Sequence, residues 1–585
     1  IMPKALGLPD VKVGRSSFPR QFRHMTTFNA AEIVPLMYDC NITPGDTVQI
    51  PISAIIRMQT PLYPVMDDLV LDVSCWFVPD RLTWVHLKQF WGENDTTFWE
   101  QPNNYAIPQI KAPASTGWAE YSLADYLGIP TGIAGYETSA MPIRAYCLIW
   151  NEFFRDENLK EPCFFAKDDT KITGVNKGVN FDYTTDIGKG ACLMKAAKLP
   201  DYFTKALPEP QKGPDVNLPL EGNIAVLPIY NKYTYEGTTT DQVPPSSRIP
   251  KYYVYNETND TIAKKTVLWP SINVTAAIAS NSGATNYELY GTTGTTSRSD
   301  IKGIPNNLWA LLDHPRTEIN ATVNSLRQAI QLQRFYELQA RSGSRYIETL
   351  ASVFGVKSSD ARLQRPEYLG GKRYPIVMSQ VLSNAEGTNT RIGSVGGMSQ
   401  TVINDYLCTK SFEEHGTLMV LGVIRQLTHT YQQGCPKMLL RKNQFDFYNR
   451  ALDHIGETAV LNQEIYAQGP AAINASTGKK YDEEVFGYQP AFEDMRLGWK
   501  YVTGEMRSNV TNSLDVWNYA DDYNALPTLS SSWIDETEIN VDRTLSVTSS
   551  TSNQIFADFC FNTVYTRGMS AYGIEAEICE YLVAC

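Results

Sequence analysis

Residues Asn320–Gly371 read NATVNSLRQAIQLQRFYELQARSGSRYIETLASVFGVKSSDARLQRPEYLGG. The first half has helical rhythm. Val323, Leu326 and Ile330 recur at spacings of three and four, with Leu332, Phe335 and Leu338 on an adjoining stripe, so one broad face is expected to be buried. Asn320 suits the amino-terminal cap, because its short side chain can accept a hydrogen bond from an otherwise orphaned amide of the first turn. Gly343 should stop the helix, and Tyr346–Phe354 should form a second, shorter one. The other face, with Arg327, Gln328, Gln331, Arg334 and Arg341, reads either as solvated surface or as a contact. From Ser358 to Gly371 no single period holds. Arg362, Arg365, Pro366 and two glycines there suit an extended strap pinned by specific contacts, and none of it reads as catalytic.

Outward from this stretch the chain reads as strands. Val48–Met58 alternates apolar and polar positions, Leu69–Val78 is apolar and aromatic and closes at Pro79, Leu418–Ile424 is almost continuously apolar, and a last strand runs from about Asn553 to Tyr565. Met141–Asn158 instead repeats its apolar residues every three or four positions and is expected to be helical. Short strands separated by long decorated loops fit a mainly β jelly roll, whose two sheets leave the loops free to grow. Trp84, Phe90, Trp91, Phe98 and Trp99 crowd one short segment, a density that suits a packed or subunit-facing surface.

With 585 residues, 43% hydrophobic, the chain can bury a large core with an elaborated insertion. It has no run of 18 apolar residues, so no membrane span is expected. Its ten cysteines include no CxxC pair and read as scattered thiols. A net charge of −12 argues against bulk nucleic-acid binding, which needs an excess of Lys and Arg. A local basic face is still available in the amino-terminal arm, where Arg15, Arg20 and Arg23 join Lys4, Lys12 and His24.

Signs of catalytic chemistry are weak. The six histidines form no HExxH or other close ligand pair, and His429, near Tyr431, reads as a packing residue. STGKK at Ser476–Lys480 fails as a phosphate loop, because Ile473 stands where glycine is needed and Lys480 where a hydroxyl should hold magnesium. Adjacent carboxylates such as Asp67 and Asp68, or Asp521 and Asp522, point to opposite faces of an extended chain, so most such pairs cannot share a substrate. No catalytic, metal or cofactor residue is assigned.

Several segments together resemble one family. They are SSFPRQFRHMTTFNAAEIVP at Ser16–Pro35, the Pro44–Asp46 turn, TPLYPVMDDLVLDVSCWFVPDRLTW at Thr60–Trp84, MPIRAYCLIWNEFFRDEN at Met141–Asn158, the opening stretch, and FADFCFNTVYTRGMSAYG at Phe556–Gly573. In this order they are similar to the major capsid proteins of the Microviridae, small icosahedral single-stranded DNA phages, and particularly the gokushovirus branch.

The resemblance implies an eight-stranded antiparallel jelly roll of the viral capsid type and no enzyme. It divides the chain into an arm (1–24), a first part of the shell domain (25–164), a variable surface insertion (165–310) that in the family forms threefold protrusions, and the rest of the shell domain (311–585). It further implies a T=1 shell of about sixty copies with fivefold, threefold and twofold contacts. Further implied are packaged single-stranded DNA, a small basic DNA-binding virion protein, a minor pilot protein, a host surface receptor, and assembly in a bacterial cytoplasm. The arginines at 15, 20 and 23 become candidates for DNA contact. The aromatic segment with Arg362, Arg365 and Tyr368 becomes a candidate subunit contact. Tyr287, Tyr290 and Arg298, within Asn281–Gly303, become candidate host-facing residues. A carbohydrate-binding jelly roll, a lectin or adhesin, is the other function class that aromatic richness allows.

Overall fold

Along Thr47–Met58 the residues Val48, Ile50, Ile52, Ala54, Ile56 and Met58 are buried, while most of those between them face outward. Side chains of a strand alternate between faces, so this pattern builds one wall of a core. In the computed structural model, residues 14–93, 105–178, 180–216, 323–343, 345–384, 386–387, 391–453 and 455–570 are described in full, with strand backbones alone between 217 and 322. Eight strands carry the sandwich: β1 (Ser16–Phe28), β2 (Ile33–Ile42), β3 (Thr47–Met58), β4 (Leu69–Pro79), β5 (Glu367–Pro375), β6 (Thr401–Ser411), β7 (Gly416–Gln426) and β8 (Ile555–Arg567).

They form two four-stranded antiparallel sheets, ordered β1-β8-β3-β6 and β5-β4-β7-β2. Every connection between consecutive strands crosses from one sheet to the other except β4 to β5, which are neighbours. This is jelly-roll connectivity. The first and last strands of the sandwich pair in full, from Ser16 opposite Arg567 to Phe28 opposite Ile555. Residues 16–24, assigned to an arm from sequence, are thus the first two-thirds of β1.

Phe559, Phe561 and Tyr565 from β8 enter the same core as Leu71, Val73, Leu418 and Val420 from the facing sheet. Each such side chain contributes roughly 1.5–3 kcal/mol by leaving water. β7 is buried on both faces, and the helix α1 (Met141–Ile149) packs against β2, β4 and β7, its Ile143, Tyr146 and Ile149 joining the same buried cluster. That explains why its sequence is continuous rather than alternating. A satellite core joins Phe203, from the excursion between β4 and β5, to Tyr431, Val460, Phe486 and Trp533 of the long excursion between β7 and β8.

The chain divides into two compact units, residues 1–213 with 334–585, and residues 214–333. The stretch 165–213, read as the start of the insertion, packs in the first unit: the Met194 amide donates to Tyr146 Oη at 3.0 Å and Tyr202 Oη donates to Glu464 at 2.8 Å. In the second unit Lys251–Asn256 pairs with both Thr261–Leu268 and Lys302–Pro305, Val226–Ile229 pairs with Trp309–Leu312, and Tyr290–Thr292 forms a hairpin with Arg298–Asp300.

The opening stretch folds into the two expected helices, α2 (Val323–Ser342) and α3 (Tyr346–Phe354), and Gly343 takes the left-handed conformation at φ +91°. Asn320 lies outside the described residues. One expectation fails. In α2 only Ala340 is buried, and Val323, Leu326, Ile330, Leu332, Phe335 and Leu338 are all exposed. At about 100° per residue, the first three of these and the last three lie on different sides of the helix, so no single layer could cover both. The strap after α3 turns at Asp360–Gln364 and then becomes β5, with a bulge between Tyr368 and Gly370.

Candidate functional site

For a chain without catalytic motifs, the candidate sites are surfaces. The three arginines proposed for nucleic acid lie at the start of β1. Arg15 is exposed. Arg20 donates to Asp39 at 2.6 Å and lies over the rings of Phe22 and Tyr565, at 4.8 and 4.7 Å. Arg23 grips Asp558 of β8 with two bonds, at 3.0 and 2.7 Å. Two of the three charges are therefore already matched within the chain. Beside them, Met25, Ile55, Arg57, Tyr121 and Phe556 line an open depression of about 710 Å³ on the outer face of the β1-β8-β3-β6 sheet.

The aromatic segment divides. Trp84, expected at a subunit surface, is 1% exposed, because its indole N–H donates to Asp169 and its ring packs on Phe90 at 5.3 Å. It is a core residue of the protomer. Trp91 is 58% exposed and stacks on His415 at 4.1 Å, with Phe90 edge-on at 5.4 Å. Phe98 and Trp99 lie outside the described residues.

The strap divides in the same way. Arg365 is buried: its guanidinium lies 4.3 Å from the centre of the Phe153 ring, between Glu152 at 3.6 Å and Asp360 at 3.5 Å. Arg362 and Tyr368 are exposed, and the Tyr368 ring rests on Trp76 at 4.9 Å. Tyr287 lies outside the described residues. Tyr290 and Arg298 fall in the two strands of the short hairpin, where the backbone is described and the side chains are not.

Sequence reasoning missed one polar centre. His429 is fully buried, with Nδ1 2.9 Å from Asp521 and Nε2 3.1 Å from Glu536. Burial alone would depress its pKa, but the two carboxylates outweigh that and push it up to about 10. Asp521 is held well below the usual carboxylate range: burial opposes this, but the Lys198 ammonium at 3.9 Å, the imidazolium and the Asn540 amide prevail. Two basic and two acidic side chains thus meet in one buried, mutually paired cluster. Among the described residues no group of His, Cys, Asp and Glu is arranged to hold a metal ion, and no helix is long and apolar enough to cross a membrane. No local signal in the sequence links these four groups.

A jelly roll with long excursions from its strands is the architecture of the viral shell class, and its buried polar centre is paired internally. Residues 7–576 match the family described as Capsid protein (F protein). The chain belongs to that family. It is 35% identical over 566 residues to Capsid protein VP1 of Spiroplasma virus 4, covering 96% of this chain and 95% of that protein. It is 36% identical over 576 residues to Capsid protein VP1 of Bdellovibrio phage phiMH2K, covering 97% and 96%, and 32% identical over 585 residues to that of Chlamydia phage 1, again covering 97% and 96%. The resemblance to microvirus capsid proteins is borne out. The protein is a structural component of a phage virion, not an enzyme.

Proposed function

We propose that about sixty copies of this chain close into a T=1 icosahedral shell around a circular single-stranded DNA genome. The observation that carries this reading is the jelly-roll sandwich itself, running from residue 16 to 567 within a chain similar along nearly its whole length to three phage capsid proteins. The exposed Phe90, Trp91, Arg362 and Tyr368 are proposed as subunit contacts. Arg15 is the best placed of the three arginines to meet DNA, since Arg20 and Arg23 are paired internally. With a net charge of −12, the shell needs a separate small basic virion protein to neutralise most of the genome's phosphates. A minor pilot protein completes the particle, and the unit spanning 214–333 carries attachment to a host receptor.

Negative-stain electron microscopy of the purified chain tests the core of this reading. Uniform shells of a few hundred ångströms are expected, on the order of what some sixty domains of this size enclose. A persistent monomer or trimer that binds a glycan array would replace the shell with a lectin or adhesin.

A further inference from the structure

The excursion between β7 and β8 carries a large apolar surface that the protomer leaves uncovered. Met438, Leu439, Phe445, Phe447, Tyr448 and Ile455 are each more than half exposed, with Leu439 at 70% and Phe445 at 71%. All six fall between residues 438 and 455, and Phe445 and Ile455 line one depression. Tyr448 packs edge-on against Phe492 at 5.3 Å, the Arg441 guanidinium sits 5.6 Å from the centre of the Phe447 ring, and Arg441 binds Asp494 at 2.5 Å. Together the six side chains present on the order of 600 Å² of apolar area, taking roughly 100 Å² apiece. That is at or above the largest patch an ordinary monomer shows, about 300–600 Å², and close to the roughly 800 Å² each partner buries in a stable interface.

Beside this patch is a cavity of about 300 Å³, walled by Leu440, Leu452, Leu461 and Ala491. Its charged groups are already engaged. Arg441 is held by Asp494, Glu464 accepts from Tyr202 at 2.8 Å, and the Asp446 carboxylate accepts from the amides of Lys442 and Asn443, each at 2.7 Å. A charged ligand would have to break these pairs, whereas an apolar side chain need not. A subunit of a closed shell is surrounded by copies of itself, and this patch has the area of such a contact.

We propose that this face is an assembly contact with a second copy of the chain, and that the cavity takes one apolar or aromatic side chain from that copy. The proposal rests on the reading of the protein as a self-assembling shell subunit. The test is the double substitution Leu439→Asp and Phe445→Asp, compared with the parent chain by sedimentation and electron microscopy, with circular dichroism to follow folding. A folded protomer whose shell yield falls tenfold or more supports the contact, and folded variants that assemble at the parental yield overturn it. Should the variant misfold, hydroxyl-radical footprinting of the unaltered chain decides. Phe445, Phe447 and Tyr448 should be protected in shells relative to free protomer, and equal oxidation in both overturns the proposal, leaving the face for a different partner. If the parent chain forms no shells, the proposed function fails first and this contact with it.

Discussion

Both ring nitrogens of His429 need a proton to satisfy Asp521 and Glu536, which lie 92 and 107 residues further along the chain. A buried charge with its partners intact is near neutral in free energy, but removing one partner strands the others at about 3–5 kcal/mol. His429→Gln is therefore expected to lower the unfolding free energy by about that amount. The pH dependence has a definite sign. Raised from 6.5 to about 10 in the folded chain, the imidazolium stabilises fully below about pH 6.5, and that contribution is lost as pH climbs toward 10. Asp521, depressed below 3.8, contributes fully above about pH 4 and loses its contribution as pH falls. The stability difference between parent and variant should be largest from about pH 4 to 6.5 and shrink on either side. Denaturant unfolding across that range measures it, and a difference that does not vary with pH would assign the effect to packing.

At the scale of elements, α1 shows how a helix is fastened to a sheet. Its Tyr146 is fully buried; Oη donates to the Ile33 carbonyl at 2.8 Å and accepts from the Met194 amide at 3.0 Å. Tyr146→Phe keeps the ring and leaves the Met194 amide unpaired, at an expected cost of about 1–3 kcal/mol. Faster hydrogen exchange at Met194 with a lowered melting temperature checks this, and unchanged exchange would show that the hydroxyl is dispensable. The helical rhythm expected over Met141–Asn158 holds to Ile149, after which Trp150–Phe154 forms a wider π turn. The wider turn brings Phe153 and Phe154 onto Trp76, at 4.2 and 6.0 Å, a tertiary contact that local periodicity does not announce. In α2 the reverse happens: the period is right and the expected burial within the protomer is absent.

On the scale of the whole molecule, the sandwich is closed by β1 pairing with β8 across more than 500 residues, while the long excursions leave between β4 and β5 and between β7 and β8. On the proposed reading, shell formation and host recognition belong to different parts of the chain, and they should be separable. Deletion of Asn281–Gly303, which spans the short hairpin Tyr290–Thr292 and Arg298–Asp300, is expected to leave assembly intact and to abolish adsorption of particles to host cells. Adsorption at the parental level would remove the attachment role from that segment.

The sequence by itself determined β3, β4, β7 and β8, the end of α2 at Gly343, the span of α3, and the family, because alternation, helical period and ordered motifs are properties of neighbouring residues, whereas β6 and the strand at residues 16–24 were not read from it. Only the tertiary structure decided the fates of individual side chains. Trp84 left the surface because Asp169, 85 positions away, receives its N–H. Arg20 and Arg23 were matched by Asp39 and by Asp558, the latter on the opposite end of the chain. The buried centre at His429 joins Lys198, Asp521 and Glu536 from three separate segments. Burial and ion pairing are set by which distant residues the fold brings within a few ångströms, and composition and spacing do not encode that.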